Sequence, residues 1–272
     1  MTAGIHIIIV THDSQEVLPQ CLTHLAAQTV EITSIIIVDS GSADRQYLEC
    51  CRKADNIKLV KTGNIGFGRA NNLGFSLVQD LEGIVVFLNP DTFLPPGFLA
   101  KVLDVMDGKK KIGILSGKLL GYDPGKNRAT GKIDSTGIFR KWYGRWYDRG
   151  MGEKDRGRYN KKNTLPAVCG ALMICPVEVL RRYGEEVFDP LFFLYKEDIE
   201  LSLRLHRDGY DLVYEPCLVA FHCRGWRRDR RKIPFNLRLM ASKNEIQLYR
   251  KHPSPYILWA ITKYLLVRFC RL

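Results

Sequence analysis

The chain has 272 residues, 46% hydrophobic and 26% charged, with 41 basic and 29 acidic side chains for a formal net charge of +12. That balance excludes an intrinsically disordered chain, and the length supports a full hydrophobic core without disulfide staples. No uncharged apolar stretch reaches the roughly eighteen residues of a spanning helix, and Met1-Thr2-Ala3-Gly4-Ile5-His6 has neither the basic segment nor the cleavage site of a secretory leader.

The β-branched run Ile5-His6-Ile7-Ile8-Ile9-Val10 predicts a strand buried on both faces. Residues 15–27 predict a helix with Ser14 as its N-cap. Ser34-Ile35-Ile36-Ile37-Val38 predicts a second buried strand, with Ser42 placed to cap the helix after it. Residues 57–60 predict a short strand, residues 68–80 a helix, and Ile84-Val85-Val86-Phe87-Leu88 a fourth strand. This alternation implies an α/β fold: a mostly parallel sheet with right-handed crossovers and helices on both faces. Ligands of such sheets bind outside the carboxyl ends of the strands.

Residues 121–165 differ in character, with Trp142, Tyr143, Trp146 and Tyr147 followed by Gly150, Gly152 and Gly157. They predict a hairpin-bearing insertion over the site. From Ala167 the chain turns apolar again, then predicts a helix at about 195–208, strands near 212–222, and helices at about 234–250 and 254–270.

The charge is unevenly distributed. Residues 1–223 carry 28 basic and 27 acidic side chains, residues 224–272 carry 13 and 2. Such a tail suits a membrane surface, a nucleic acid or a phosphorylated acceptor, or is a solvated helix face. The tail has Trp226 but no helix-turn-helix or RNA-binding motif, so nucleic acid is not the expected partner. From Tyr256 to Val267 only Lys263 is charged. That segment is too short to span a bilayer and suits a helix lying in an anionic membrane interface. The competing reading packs its apolar face on the domain or on a second copy of the chain. The eight cysteines are read as reduced thiols.

Three acidic positions carry candidate chemistry. Asp39 ends the second predicted strand, where an acid accepts hydrogen bonds from a ribose or base edge, or caps a helix. A dinucleotide cofactor is disfavoured: the loop Thr11-His12-Asp13-Ser14 contains no glycine, and Gly66-Phe67-Gly68 with Gly74 has the wrong spacing. Asp91, in Asn89-Pro90-Asp91-Thr92, is either a turn residue or a ligand of a hard divalent cation. Its place at the same sheet edge as Asp39 favours the ligand. In Tyr195-Lys196-Glu197-Asp198-Ile199-Glu200 the acids suit a first helical turn, and either Glu197 or Asp198 can face a cleft as a general base.

Together these segments resemble the inverting family 2 glycosyltransferases of the GT-A fold, and most closely the rhamnosyltransferase-like branch of bacterial polysaccharide synthesis. The resemblance covers about residues 5–225. It rests on Ile9-Val10-Thr11-His12-Asp13-Ser14, Val38-Asp39-Ser40-Gly41-Ser42, the run Asn64 to Gly74, Asn89-Pro90-Asp91, Asp148 to Glu153, Cys169-Gly170-Ala171-Leu172-Met173 and Phe193 to Asp198. It implies a GT-A domain over residues 1–225 and a basic helical extension over 226–272. Thr11, Asp13, Asp39 and Ser42 would contact the nucleotide of a dTDP- or UDP-linked sugar, with Gly66, Asn71 and Asn89 against the nucleotide sugar. Asp91 matches the end of the family's metal-binding Asp-X-Asp motif, in which Asn89 replaces the first Asp. His222 would add a ligand for Mg²⁺ or Mn²⁺.

Gly170, Ala171, Glu197 and Trp226 would lie on the acceptor side, and Asp198 matches the catalytic base. The acceptor would be a glycan or a lipid-linked sugar, and the enzyme would sit peripherally on the inner face of the cell membrane. An inactive relative that scaffolds a polysaccharide assembly is the alternative; the intact Asp39, Asp91 and Asp198 speak against it.

Overall fold

The computed structural model describes residues 4–223 and 233–271. Strand β1 (Ile5–Thr11) is buried along its whole length. Alternate residues feed two cores: Ile5, Ile7 and Ile9 one, Ile8 and Val10 the other. This is why the run is apolar without alternation. Helix α1 (Leu18–Ala26) follows, then β2 (Ser34–Ser40), a 3-10 segment (Gln46–Lys53), β3 (Ile57–Thr62), α2 (Phe67–Ser76), β4 (Ile84–Leu88), the two-residue β5 (Thr92–Phe93) and α3 (Phe98–Met106). One core takes residues of α1 and α3, the other residues of α2, so helices cover both faces.

Two expected caps are corrected. The helix expected from residue 15 starts at Leu18, and no side chain caps it. Pro19 in its first turn presets the backbone, and Ser14 instead accepts the Val17 and Leu18 N–H groups through its backbone carbonyl. Ser42 caps nothing either: its hydroxyl accepts the Asp13 N–H at 2.9 Å and bonds the Tyr47 hydroxyl at 2.8 Å.

The second half contains β6 (Ile112–Asp123), β7 (Arg128–Ser135), β8 (Ile138–Arg140), β9 (Trp146–Asp148), β10 (Asn163–Thr164), β11 (Leu172–Pro176), α4 (Val177–Arg181), α5 (Glu197–Arg207), β12 (Asp211–His222), α6 (Phe235–Lys251) and α7 (Ile257–Cys270). The sheet order is β10-β12-β6-β11-β4-β1-β2-β3, with β5 on β12 and β7 on β6. Strands β3, β2, β1, β4, β6 and β12 share one direction. Strand β11 runs antiparallel between β4 and β6, joining the two parallel blocks. Its sequence, Leu172-Met173-Ile174-Cys175-Pro176, is buried throughout.

The insertion is more integrated than a hairpin laid over the site. Its β7 extends the main sheet beside β6, β10 closes the sheet's edge, and β8 pairs with β9 as a separate ribbon. The C-terminal helices also join the body. Leu248 and Tyr249 of α6 are buried, and the Tyr249 hydroxyl donates to the Gly144 carbonyl at 2.8 Å. Lys251 pairs with Asp189, and His252 approaches Glu200 at 3.4 Å. Among the described residues, no helix is long and apolar enough to cross a membrane.

Candidate active site

The loops after β1 and β2 are tied to each other. The Thr11 hydroxyl bonds the Tyr47 hydroxyl at 2.9 Å, and Tyr47 in turn bonds Ser42. Asp13, in the left-handed region at φ 49°, accepts the Ala43 N–H at 2.8 Å. Fully buried Asp39 accepts the Ser42 N–H at 3.2 Å and pairs with Arg45 at 2.7 Å. These contacts hold the two strand-end loops at a fixed separation.

A cavity of about 760 Å³ opens beside them, lined by His12, Ser40, Gly66, Asn89, Asp91 and Tyr122, among others. Of the residues expected against a nucleotide sugar, Gly66 and Asn89 line it, while Thr11, Asp13, Asp39, Ser42 and Asn71 do not. Asn71 is buried in α2 and donates to the Phe67 carbonyl at 3.0 Å. Gly66 has φ +84°, and a Cβ there would stand 2.4 Å from the Phe193 carbonyl oxygen. That oxygen accepts the Phe67 N–H at 2.8 Å, so only glycine allows this close approach.

A second cavity, of about 720 Å³, is lined by Trp146, Asp148, Gly170, Ala171, Glu197 and Asp198, among others. The two cavities share Phe67, Asn89, Asp91 and Leu194. Asn89 and Asp91 therefore stand at their junction, and the buried Asn89 Oδ1 has no hydrogen-bond partner among the described residues.

His222 ends β12 opposite Thr92 of β5, and its Nε2 lies 3.2 Å from Asp91 Oδ1. On the other side its Nδ1 meets Asp134 Oδ2 at 2.8 Å, from a carboxyl group only 1% exposed. Burial opposes a charge on this imidazole, but Asp91 and Asp134 outweigh it and push the pKa up to about 9. When Nδ1 carries the proton toward Asp134, the Nε2 lone pair faces Asp91. That arrangement, in which a carboxylate orients the imidazole from behind, suits a metal ligand. The residues thus fit a divalent cation held between Asp91 and His222. Among the described residues, no group of three His, Cys, Asp or Glu side chains forms a complete cage.

On the wall of the second cavity, Asp198 accepts the Gly170 N–H at 3.0 Å and the Ile199 N–H at 2.8 Å. These bonds favour its ionised form, but burial dominates and raises its pKa. Beside it, burial and the Asp198 charge push Glu197 up to about 8, and Glu197 Oε2 has no hydrogen-bond partner among the described residues. Just ahead of α5, Tyr195 and Lys196 both adopt positive φ, 73° and 76°. Two consecutive left-handed residues with side chains are strained, and such strain persists where surroundings over-determine it.

Sequence reading missed His12, Tyr122, Trp146 and Asp148 as lining residues, and Asp134 behind His222. Signals existed for His12 and Asp148, which lie in the motif segments, and for Trp146, in the aromatic insertion expected over the site; Tyr122 and Asp134 depend on strands brought together from afar. Trp226 lies outside the described residues.

Comparison with known proteins points one way. The sequence profile described as "Glycosyl transferase family 2" matches residues 6–184. The chain is 23% identical over 240 residues to the N-acetylglucosaminyl-diphospho-decaprenol L-rhamnosyltransferase of Mycobacterium tuberculosis, covering 82% of this chain and 76% of that one. It is 22% identical over 245 residues to rhamnosyltransferase WbbL of Escherichia coli K12, covering 80% and 83%. Among solved structures it is similar to GalNAc-T7 with UDP, GalNAc and Mn²⁺ (TM-score 0.64, 16% identity), covering 96% of this chain but only 54% of that one. It is also similar to the mannosyltransferase PcManGT from Pyrobaculum calidifontis in complex with GDP-Man and Mn²⁺ (TM-score 0.61, 17% identity, 97% and 70% covered).

Proposed function

Since the chain belongs to glycosyl transferase family 2, we propose that it moves a sugar from a nucleoside diphosphate donor in the first cavity to an acceptor hydroxyl in the second, with inversion. The observation that carries this reading is the junction: two cavities meet at Asn89 and Asp91, and Asp198 lines the second. An acceptor hydroxyl beside Asp198 loses its proton to that carboxylate as its oxygen attacks the anomeric carbon. The nucleoside diphosphate departs from the opposite face. Asp198 serves as base because backbone donors fix its two oxygens in place. Burial and then the Asp198 charge push Glu197 up to about 8, so Glu197 is the neighbour whose ionisation Asp198 disfavours.

Asp91 and His222 would hold Mg²⁺ or Mn²⁺, which supplies charge neutralisation for the departing diphosphate. The Mn²⁺ in both similar glycosyltransferase structures supports that assignment. The contacts of Thr11, Asp13, Asp39, Ser42 and Arg45 cross-link the loops beside the first cavity and so shape the nucleotide pocket.

The acceptor is a lipid-linked sugar, and the product a cell-surface polysaccharide. The similarity to the mycobacterial enzyme, whose name states a diphospho-decaprenol acceptor, supports this class. So does α7, whose outward stripe Leu258, Ile261, Leu265 and Phe269 is apolar and exposed, Leu258 at 70% and Phe269 at 72%. The spacing i, i+3, i+7, i+11 puts these side chains on one helix face, a face the protein leaves in water. The helix lies on an anionic membrane through this stripe, with basic residues of the tail against the headgroups.

The test is a donor screen with the purified protein, dTDP- and UDP-linked sugars first, on a short-chain prenyl-diphosphate sugar. Release of nucleoside diphosphate that depends on acceptor and on Mg²⁺ or Mn²⁺ is the expected result. Absence of acceptor-dependent release with every donor would sink the reading.

A further inference from the structure

Asn244 is 6% exposed in the middle of α6, about fifty residues beyond the strained turn ahead of α5. A buried amide requires hydrogen-bond partners, and those of Asn244 lie outside its own helix. The Asn244 Nδ2 group donates to the Leu194 carbonyl and to the Tyr195 carbonyl, both at 2.9 Å. The assignment of nitrogen here follows from chemistry: two carbonyl oxygens would repel the amide's own oxygen. Both acceptors belong to the stretch that twists through the left-handed residues Tyr195 and Lys196 into the first turn of α5.

That stretch touches both cavities. The Phe193 carbonyl anchors the Phe67 N–H beside Gly66, Leu194 lines the first and the second cavity, and Tyr195 and Lys196 line the second. The same turn delivers Asp198 to the Gly170 N–H. Asn244 is thus the one side chain of α6 for which the structure gives hydrogen bonds to this turn, and it uses both amide hydrogens there.

We infer that Asn244 is a positioning residue for glycosyl transfer: its two hydrogen bonds hold the left-handed Tyr195–Lys196 turn and thereby fix Asp198 against the acceptor. This deepens the reading of Asp198 as the base and rests on it. Among uncharged side chains only asparagine and glutamine offer two N–H donors from one nitrogen.

The experiment compares wild type, Asn244→Asp, Asn244→Ala and a control, Leu248→Ala, on the full chain. Asn244→Asp keeps the shape and turns both contacts repulsive. Leu248→Ala weakens the packing of α6 while leaving the Asn244 hydrogen bonds to the turn intact. Amide hydrogen exchange of residues 193–199 is measured alongside kcat and donor KM. The expected result is faster exchange of this segment in both Asn244 variants, with kcat reduced at least tenfold and donor KM within about twofold of wild type. Leu248→Ala lowers the melting temperature but leaves kcat and the exchange of the segment near wild type.

Unchanged exchange in Asn244→Asp would overturn the bracing, and faster exchange with unchanged kcat would overturn its role in positioning. An equal fall of kcat in Leu248→Ala would show that α6 acts only through general stability. If wild type transfers no sugar at all, the proposed function fails, while the exchange measurement still decides whether Asn244 holds the turn.

Discussion

Much of the first cavity's wall comes from the segments that follow β1, β3 and β4, all within the first 91 residues. The second cavity is assembled from residues 146–148, 169–171, 194–199 and from α6 and α7, which lie far apart in the chain. The first region is built by a repeating unit, strand then turn then helix, so its chemistry falls at predictable strand ends. The second is built by long-range packing, and its decisive contacts, such as Asn244 on the Tyr195 carbonyl, join segments about fifty residues apart. A first cavity inherited from the sheet is therefore paired with a second whose lining includes residues of the C-terminal helices.

The sharpest test of the junction between the regions is Asp91→Ala. It removes the carboxylate facing His222 while Pro90 keeps the turn. Transfer should fall by about 10³-fold or more, several kcal/mol of lost charge stabilisation, with an unchanged circular dichroism spectrum. Near-normal turnover at saturating Mg²⁺ or Mn²⁺ would reduce Asp91 to a turn residue.

On the second wall alone, Asp198→Asn should cost about 10²–10⁴-fold in kcat, the usual value of a general base. Nucleoside diphosphate affinity, read by calorimetry, should persist, because the first cavity is untouched. A larger loss in Glu197→Gln than in Asp198→Asn would exchange the roles of the two neighbours.

For the outward face of α7, the double variant Leu265→Gln with Phe269→Gln should weaken co-sedimentation with anionic liposomes. Losing each apolar side chain costs roughly tenfold in partitioning. Equal pelleting of variant and wild type, or binding indifferent to salt, would remove the membrane from the account.

The smallest effect is on stability. Glu197 is pushed above its ordinary value by burial first and by the Asp198 charge second, up to about 8. Between the unfolded value of about 4.3 and that folded value, the native state binds more protons than the unfolded chain, so this group's contribution declines as pH rises. The stability advantage of Glu197→Gln over wild type should therefore grow by roughly 3 kcal/mol between pH 5 and pH 8. Thermal melting at the two pH values checks it; a stabilisation independent of pH would refute the origin in ionisation.

The contrast between the regions also explains what was legible in the sequence. Apolar runs such as Ile84 to Leu88 announce their strands because double-sided burial demands continuous hydrophobicity, and acids after such runs are conspicuous. The antiparallel β11 was not legible, since a short apolar segment does not encode its direction. Ser14 and Ser42 misled as caps because hydroxyls serve loop cross-links equally well. Asp134 was invisible: nothing local distinguishes an acid in a hairpin from one that will sit behind a histidine 88 residues away.

The Asp91–His222 spacing is itself set by a ladder. Thr92 pairs with His222, and the Cys223 N–H donates to the Asp91 carbonyl at 2.9 Å, so the two side chains are separated by backbone register. Because side chains alternate along a strand, inserting or deleting one residue between Val219 and His222 would turn the imidazole to the opposite face. Further upstream the pairing of β12 with β6 is already irregular between Tyr214 and Val219. Length changes there can be absorbed by the bulge, so this short stretch is where the late strand can vary in length, while the three-residue approach to His222 cannot.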